Sequence, residues 1–222
     1  MELDAFDSQC FVAHAHDLAV FGPGRDFKAV RQGFMFAPNH HSAMKHAAPV
    51  RRELGVRTLF NLLGPLTNPA SAANQVIGVY SSHLPARIAH ALHQLGSRHV
   101  LVVHGAGGMD ELGLAGESRI AELKDGVVAE YSIHPEQFGL VCADTSSLRV
   151  NSLESATRLL REALTNQHRA AADIVALNAG AAIYVGGKVS TLAEGVHLAA
   201  RQIDSGAAIA KLEQLIDFTC HV

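Results

Sequence analysis

Residues 75–103 read QVIGVYSSHLPARIAHALHQLGSRHVLVV, and this stretch decides the fold. It predicts a buried strand over residues 75–80, a helix over residues 85–96 and a second buried strand over residues 99–103. The helix is indicated by apolar residues at helical spacing, namely Ile88, Leu92 and Leu95. Because both strands are almost continuously apolar, the pattern predicts a parallel sheet covered by helices on both faces, and hence the α/β class.

The residues that follow extend this architecture. Residues 120–133 predict a hairpin that turns at Asp125-Gly126. Three helices are expected after it, over residues 152–164, 169–184 and 191–218. The last begins with a capping box, in which Thr191 is followed three residues later by Glu194, and it is expected to break near Ser205-Gly206. The expected fold is therefore a mainly parallel sheet flanked by helices, with an antiparallel hairpin.

Composition excludes several classes of protein. Apolar residues make up 48% and charged residues 18% of the 222 residues, which indicates a soluble globular chain. With 18 Lys+Arg against 21 Asp+Glu, the chain has no net positive charge to attract nucleic acid. The run over residues 170–187 is interrupted by Asp173 and Asn178, so no membrane span is expected. Three unpaired cysteines and an acidic N-terminus indicate a cytoplasmic protein.

An acidic pair follows the second predicted strand. Asp110 and Glu111 come directly after the glycine-rich turn HGAGGM (residues 104–109), at the end of a strand where open α/β sheets bind their ligands. Two carboxylates suit Mg²⁺, which usually takes one or two of them together with substrate phosphates. An alternative is that the pair only caps the start of a helix. The glycines match neither a dinucleotide-binding motif nor a Walker loop.

The upstream residues 34–70 read FMFAPNHHSAMKHAAPVRRELGVRTLFNLLGPLTNPA. Their histidines lack the spacing of a zinc site, so they are interpreted as surface or capping residues, or as donors to an anionic substrate. Arg51 carries a rigid guanidinium fork that suits a carboxylate, although an ordinary helix-surface arginine is an alternative.

Residues 34–70, together with LVVHGAGGMDEL (residues 101–112), resemble the anthranilate phosphoribosyltransferases, and the resemblance extends over nearly all of residues 33–222. It implies the nucleoside phosphorylase/phosphoribosyltransferase-like fold. It also implies transfer of a phosphoribosyl group from phosphoribosyl pyrophosphate to the amino group of anthranilate, a step of tryptophan biosynthesis. The family implies a Mg²⁺ requirement, with Asp110 and Glu111 as the metal-binding pair, and usually a homodimer.

The resemblance also assigns the anthranilate side of the site. Arg51 corresponds to the arginine that holds the anthranilate carboxylate. His41 and Met44 line the route by which anthranilate arrives, and Gly64 and Pro65 wall its aromatic ring. No side chain is assigned the role of a catalytic nucleophile.

The sequence departs from the family pattern in one respect. Family members carry a helical domain, a Gly-Thr-Gly-Gly-Asp loop that cradles pyrophosphate, and a Lys-His-Gly-Asn-Arg segment, and none of these occurs in the 222 residues. The chain is therefore expected to be a C-terminal portion that is inactive alone. Its expected parts are an unmatched segment 1–32, a helical segment with hinge loops over 33–69, and an α/β domain over 70–222. Two alternatives remain open: a non-catalytic binding or assembly subunit complemented by an N-terminal half, and a pyrimidine nucleoside phosphorylase-like enzyme.

Overall fold

The computed structural model describes residues 10–14, 32–36, 53, 66 and 72–220. The chain divides into two compact units, one formed by Met1–Ala72 with Gln214–Val222 and the other by Ala73–Glu213. In the first unit, strand β1 (Cys10–His14) pairs antiparallel with strand β2 (Gln32–Phe36). This pair of strands is not among the elements predicted from the sequence.

The second unit contains a four-stranded sheet in the order β3-β4-β5-β6. Its strands are β3 (Asn74–Gly78), β4 (His99–His104), β5 (Ser118–Lys124) and β6 (Val127–Ile133). Strands β3 and β4 are parallel and are joined by helix α1 (Pro85–Gln94), as residues 75–103 predict. The α/β class is confirmed.

The prediction of a mainly parallel sheet is wrong for the strands that the structure describes. Only β3 and β4 pair in parallel, whereas β4 with β5 and β5 with β6 are antiparallel. The physical reason is that a continuous apolar run indicates burial on both faces of a strand and carries no information about the direction of its neighbours.

Of two local predictions, the hairpin turn is confirmed and the burial of Leu95 is wrong. The hairpin turn is confirmed, because Asp125 (φ 51°) and Gly126 (φ 77°) both adopt positive φ between β5 and β6. Leu95, by contrast, does not share the buried face of Ile88 and Leu92. Helix α1 ends one residue earlier, and the side chain of Leu95 is 63% exposed.

The remaining helices agree closely with their predicted limits. They are α2 (Leu153–Leu164), α3 (Arg169–Val185), α4 (Leu192–Asp204) and α5 (Ala207–Cys220). The capping box at α4 is present, since Thr191 Oγ1 accepts from the Glu194 amide at 3.2 Å and the Glu194 carboxylate accepts from the Thr191 amide at 3.2 Å. The break between α4 and α5 lies at Ser205-Gly206, where Gly206 has a φ of 76°. None of the helices within the described ranges is long and apolar enough to cross a membrane.

The main core lies between the sheet and helix α3. Four consecutive residues of β4, Val100 to Val103, are at most 1% exposed. Two of them, Leu101 and Val103, pack in a cluster with Ile120 of β5 and Leu177 of α3. Helix α4 crosses α3 at two glycines. A Cβ atom added to Gly195 would lie 2.3 Å from the carbonyl oxygen of Gly180, so the two helix backbones touch with no side chain between them.

Candidate active site

The acidic pair lies at the carboxyl end of β4, as predicted. After His104 the chain forms a tight turn in which the amide of Gly105 donates to the carbonyl oxygen of Met109 at 2.8 Å. Asp110 and Glu111 come next, in a bend. No helix begins there, and the next regular element is β5, so the alternative of a helix cap is wrong.

The carboxyl ends of the two parallel strands are joined at this edge. Nδ1 of His104, the last residue of β4, lies 2.8 Å from the carbonyl oxygen of Val79, directly after β3. The loop that carries the acidic pair folds back over the same edge. A Cβ atom added to Gly78 would lie 1.5 Å from the carbonyl oxygen of Asp110, so the loop backbone rests on the Cα atom of this glycine. Only a residue without a side chain permits that approach.

A second glycine contact supports the other member of the pair. A Cβ atom added to Gly105 would lie 2.4 Å from the carbonyl oxygen of Glu111. The backbones of both acidic residues therefore pack against glycines that no larger residue could replace without moving the loop.

Helix α3 holds the loop from the other direction through Asn178. The side-chain oxygen of Asn178 accepts from the amide of Leu112 at 3.0 Å, and its side-chain nitrogen donates to the carbonyl oxygen of Leu112 at 2.9 Å. The same nitrogen also donates to the carbonyl oxygen of Ile174 at 3.0 Å within the helix. Leu112 is fully buried, so Asn178 satisfies both backbone polar groups of a residue that water does not reach.

A buried serine completes the support of the loop. The hydroxyl oxygen of Ser118, which is 1% exposed at the start of β5, accepts from the amide of Gly113 at 3.1 Å. Neither Asn178 nor Ser118 is among the site residues predicted from the sequence. Asn178 did leave a signal, since it interrupts the apolar run over residues 170–187, where a polar residue needs a partner.

The two carboxylates of the pair influence each other. Asp110 and Glu111 are both exposed, yet the surrounding protein still desolvates the Glu111 carboxylate and raises its pKa, and repulsion from Asp110 raises that pKa further. A cation placed between them would relieve this repulsion.

This donor set fits Mg²⁺. Both ligands are hard oxygen donors, which Mg²⁺ prefers, and they are accessible to a bound substrate. Within residues 72–220 no third carboxylate, imidazole or thiolate joins the pair closely enough to bind the same ion. The remaining positions around a cation would then be taken by water or by substrate phosphates, which is how Mg²⁺ is usually held.

The predicted anthranilate side of the site lies outside the described residues. This applies to the assigned carboxylate-binding arginine, the residues of the entry route and the residues that wall the ring, namely Arg51, His41, Met44, Gly64 and Pro65. Their roles stay predictions.

Comparison with known proteins places these features in context. A model described as the a/b domain of a glycosyl transferase family matches residues 24–209. The chain is 56% identical to the anthranilate phosphoribosyltransferase of Nitrosomonas europaea over 198 residues, which are 89% of this chain and 58% of that relative. It is 54% identical to the enzyme of Thiobacillus denitrificans over 191 residues, covering 86% of this chain and 56% of the relative. The chain thus spans a little over half the length of the curated relatives that it matches.

Solved structures show the same similarity. The crystal structure of anthranilate phosphoribosyltransferase from Thermus thermophilus superposes with a TM-score of 0.74 and 47% identity, covering 80% of this chain and 53% of that one. The enzyme from Saccharomyces cerevisiae in complex with phosphoribosyl pyrophosphate and Mg superposes with a TM-score of 0.72 and 28% identity, covering 82% and 53%. The yeast enzyme in complex with 4-fluoroanthranilate gives a TM-score of 0.76 and 27% identity, covering 86% and 55%.

Proposed function

Because the chain belongs to the glycosyl transferase family that includes the anthranilate phosphoribosyltransferases, we propose that it forms part of the active site of such an enzyme. The family predicted from residues 34–70 and 101–112 is confirmed by the comparisons. In the proposed reaction, the amino nitrogen of anthranilate forms a bond to C1′ of the phosphoribosyl group. The bond from C1′ to pyrophosphate breaks, and the amine then loses a proton. The observation that carries this proposal is the acidic pair, held by glycines and Asn178 at the carboxyl ends of two parallel strands.

Asp110 and Glu111 would hold Mg²⁺ against the pyrophosphate of the donor. The bound ion would neutralise negative charge on the leaving group. The complex of the yeast relative with phosphoribosyl pyrophosphate and Mg supports binding of both the donor and the ion in this family. In this chain the role of Gly78, Gly105 and Asn178 is to fix the loop, so that both carboxylates are in place before the substrate arrives.

The anthranilate side of the site rests on the resemblance of residues 34–70. Arg51 would bind the anthranilate carboxylate through two parallel hydrogen bonds. His41 and Met44 would line the entry route, and Gly64 and Pro65 would pack against the ring. These contacts would place the amino nitrogen near C1′. Positioning of this kind accounts for much of the rate acceleration in a reaction that forms no covalent intermediate with the enzyme. The yeast complex with 4-fluoroanthranilate supports a site for this substrate class in the family.

We further propose that transfer needs a segment that cradles the phosphates. No Gly-Thr-Gly-Gly-Asp or Lys-His-Gly-Asn-Arg sequence occurs in the 222 residues, and the chain matches 58% of the Nitrosomonas europaea relative. The complete enzyme would act as a cytoplasmic homodimer in tryptophan biosynthesis. None of the relatives described above is a nucleoside phosphorylase or a non-catalytic subunit, so neither alternative gains support.

A chimera tests the proposal. Residues 33–222 of this chain would replace the matching part of the Nitrosomonas europaea relative, and pyrophosphate release would be followed with anthranilate, phosphoribosyl pyrophosphate and Mg²⁺. We expect anthranilate-dependent release by the chimera and none by the 222-residue chain alone. A folded chimera without activity would overturn the proposed function, and turnover by the chain alone would overturn the need for another segment.

Substitutions in the chimera separate the two halves of the site. Arg51→Ala is expected to raise the KM for anthranilate at least tenfold while changing the KM for phosphoribosyl pyrophosphate little, because it removes a bidentate partner of the carboxylate. Arg52→Ala is the matched control and should leave both KM values near those of the parent. Equal effects of Arg51→Ala on both substrates would contradict the assignment. Asp110→Asn with Glu111→Gln should raise the Mg²⁺ concentration that half-maximal activity requires.

A further inference from the structure

A second group of metal-ligating side chains lies where the chain leaves β6, apart from the acidic pair. Oε2 of Glu136 lies 3.5 Å from Nδ1 of His134, and Sγ of Cys142 lies 3.7 Å from Nε2 of the same histidine. One ligand atom from each of the three residues can be chosen so that all three lie within 4.8 Å of one another. Among the residues that the structure describes, this is the only such group of three or more ligands.

The backbone beneath these side chains is firmly held. The carbonyl oxygen of His134 accepts from the amide of Gln137 at 3.0 Å, and the side chain of Gln137 accepts from the amide of His134 at 3.0 Å. Beyond Cys142, the amide of Ala143 donates to the carbonyl oxygen of Leu114 at 3.1 Å. Both ends of the segment are thus fixed by hydrogen bonds.

The side chains that anchor the segment and the side chains of the candidate ligands differ in their exposure to solvent. The side chains that anchor it in the core are apolar and buried, namely Ile133, Pro135, Phe138 and Leu140. The side chains of His134 and Glu136 are 39% and 71% exposed, and Cys142 is exposed. The candidate ligands are therefore open to solvent on a backbone that does not need to rearrange, which lowers the entropic cost of binding an ion.

The donor atoms favour a softer cation than Mg²⁺. An imidazole nitrogen, a thiolate sulfur and a carboxylate oxygen are the three ligand types that Zn²⁺ takes. With bonds of about 2.0–2.3 Å in a tetrahedron, ligand atoms lie roughly 3.3–3.7 Å apart. The two measured separations are close to these values, but they involve opposite nitrogens of the His134 ring. Binding of one ion through a single ring nitrogen therefore requires rotation of the exposed side chains. The rotation starts from an arrangement in which one ligand atom of each residue already lies within 4.8 Å of the other two.

We propose that His134, Glu136 and Cys142 form a binding site for a borderline-soft divalent cation such as Zn²⁺. One ring nitrogen of His134, one carboxylate oxygen of Glu136 and the sulfur of Cys142 bind the ion, and the thiol proton is released to solvent. Three protein ligands leave the fourth position to water, so the ion stays accessible from solution. The site is independent of the proposed transferase activity, because none of its ligands belongs to the acidic pair.

Titration of the metal-free 222-residue chain with Co²⁺ tests the site. Co²⁺ takes the place of Zn²⁺, and a cobalt–thiolate bond adds a charge-transfer absorption in the near ultraviolet. We expect one equivalent to bind with this absorption, and an added equivalent of Zn²⁺ to remove it. Cys142→Ser should abolish the absorption, and His134→Ala or Glu136→Gln should weaken Co²⁺ binding at least tenfold.

Matched controls test whether the other cysteines or the acidic pair bind the ion. Cys10→Ser and Cys220→Ser remove the other two cysteines, and Asp110→Asn with Glu111→Gln removes the acidic pair. All three controls should keep the absorption. The proposal is overturned if the parent chain shows no absorption at micromolar Co²⁺, if Cys142→Ser keeps it, or if it is lost in either cysteine control.

Thermal unfolding provides an independent readout. An ion that binds only the folded chain raises the Tm. We expect Zn²⁺ to raise the Tm of the parent chain and of the two cysteine controls, and to leave the Tm of Cys142→Ser unchanged. An equal rise in the parent and in Cys142→Ser would show that the ion binds elsewhere and would overturn the assignment.

Discussion

The hydroxyl of Tyr184 lies 2.8 Å from Oε1 of Glu122, so the last turn of α3 is hydrogen-bonded to strand β5. Nε2 of His99 lies 2.9 Å from the same oxygen, and the hydroxyl of Tyr131 donates to Oε2 at 2.9 Å. Burial alone would raise the pKa of Glu122. The hydrogen bonds from Tyr184, His99 and Tyr131 outweigh burial and hold the pKa below its ordinary value. The group therefore stabilises a charged carboxylate between the sheet and helix α3.

Replacing this carboxylate should make stability depend less on pH. In Glu122→Gln we expect the free energy of unfolding at neutral pH to fall by about 1–3 kcal/mol, because hydrogen bonds to a charged acceptor are lost. Since the pKa of Glu122 is lower in the folded chain than the ordinary 4.5, its contribution is present above that pH and is lost as the pH falls through the lowered pKa. Urea unfolding of both chains from neutral pH down to about pH 3 measures the difference.

The control for this prediction is Glu130→Gln, which changes an exposed carboxylate on the neighbouring strand β6. It should alter stability little at any pH. The interpretation of Glu122 would be wrong if the parent chain and Glu122→Gln differed by the same free energy throughout the acid range.

The sequence predicted the regular elements well because local signals specify them. The positive φ angles at Asp125-Gly126 and the capping box from Thr191 to Glu194 are set by residues next to one another in the chain. The parallel pairing of β3 with β4 and the antiparallel hairpin of β5 with β6 were predicted correctly. The antiparallel pairing of β4 with β5 was not predicted, because it depends on where β5 lies in space. The Glu122 group was not predicted because its donors come from β4, β6 and α3, far apart in sequence.

The loop that carries the acidic pair should not tolerate a side chain at Gly78. In Gly78→Ala the new Cβ atom would lie 1.5 Å from the carbonyl oxygen of Asp110, so the loop must move away from β3. We expect a loss of about 1–3 kcal/mol in the free energy of unfolding, as overpacking usually costs, together with weaker Mg²⁺ binding. Urea unfolding and calorimetric titration with Mg²⁺ and pyrophosphate measure the two effects.

Gly113→Ala is the matched control in the same loop. A Cβ atom there meets only Sδ of Met109, at 3.6 Å, which is an ordinary contact. This variant should keep both the stability and the Mg²⁺ affinity of the parent. If Gly78→Ala behaved like Gly113→Ala, the close approach at Gly78 would have no role in placing the acidic pair.

Asn178 should act on the acidic pair without contacting it. Asn178→Leu keeps the branching and the number of side-chain heavy atoms but leaves the buried amide and carbonyl of Leu112 without partners, which should cost about 2–4 kcal/mol in the free energy of unfolding. In the chimera, we expect it to raise the Mg²⁺ requirement while leaving the KM for anthranilate nearly unchanged. If Asn178 had only a structural role, Asn178→Leu would lower the amount of folded enzyme, and the enzyme that did fold would keep the Mg²⁺ requirement of the parent.

Gln202→Leu makes the same kind of replacement at an exposed position of helix α4 and is the control for Asn178. It should change neither the unfolding free energy nor the Mg²⁺ requirement appreciably. A shift in the Mg²⁺ requirement of similar size in both variants would contradict the role given to Asn178.

The candidate site was predictable only in part, for the same physical reason as the fold. Asp110 and Glu111 follow a glycine-rich turn at the end of an apolar strand, so their position could be predicted from adjacent residues. Asn178 lies 66 residues from Leu112, and Gly78 approaches Asp110 from another strand. These supporting contacts depend on the packed structure, and the sequence showed only that a polar residue interrupted an apolar helix.

The contact between Gly180 and Gly195 requires that α3 and α4 each keep one rotation about their own axes. It sets no requirement on the length of the segment that joins them. Each residue added to a helix turns everything beyond it by about 100°. A single insertion within α3 ahead of Gly180 would therefore point a larger residue at α4 and force the helices apart. Insertions between the helices, over residues 186–190, rotate neither one. Natural variation in chain length should accordingly concentrate in that connection and be excluded from the two helices.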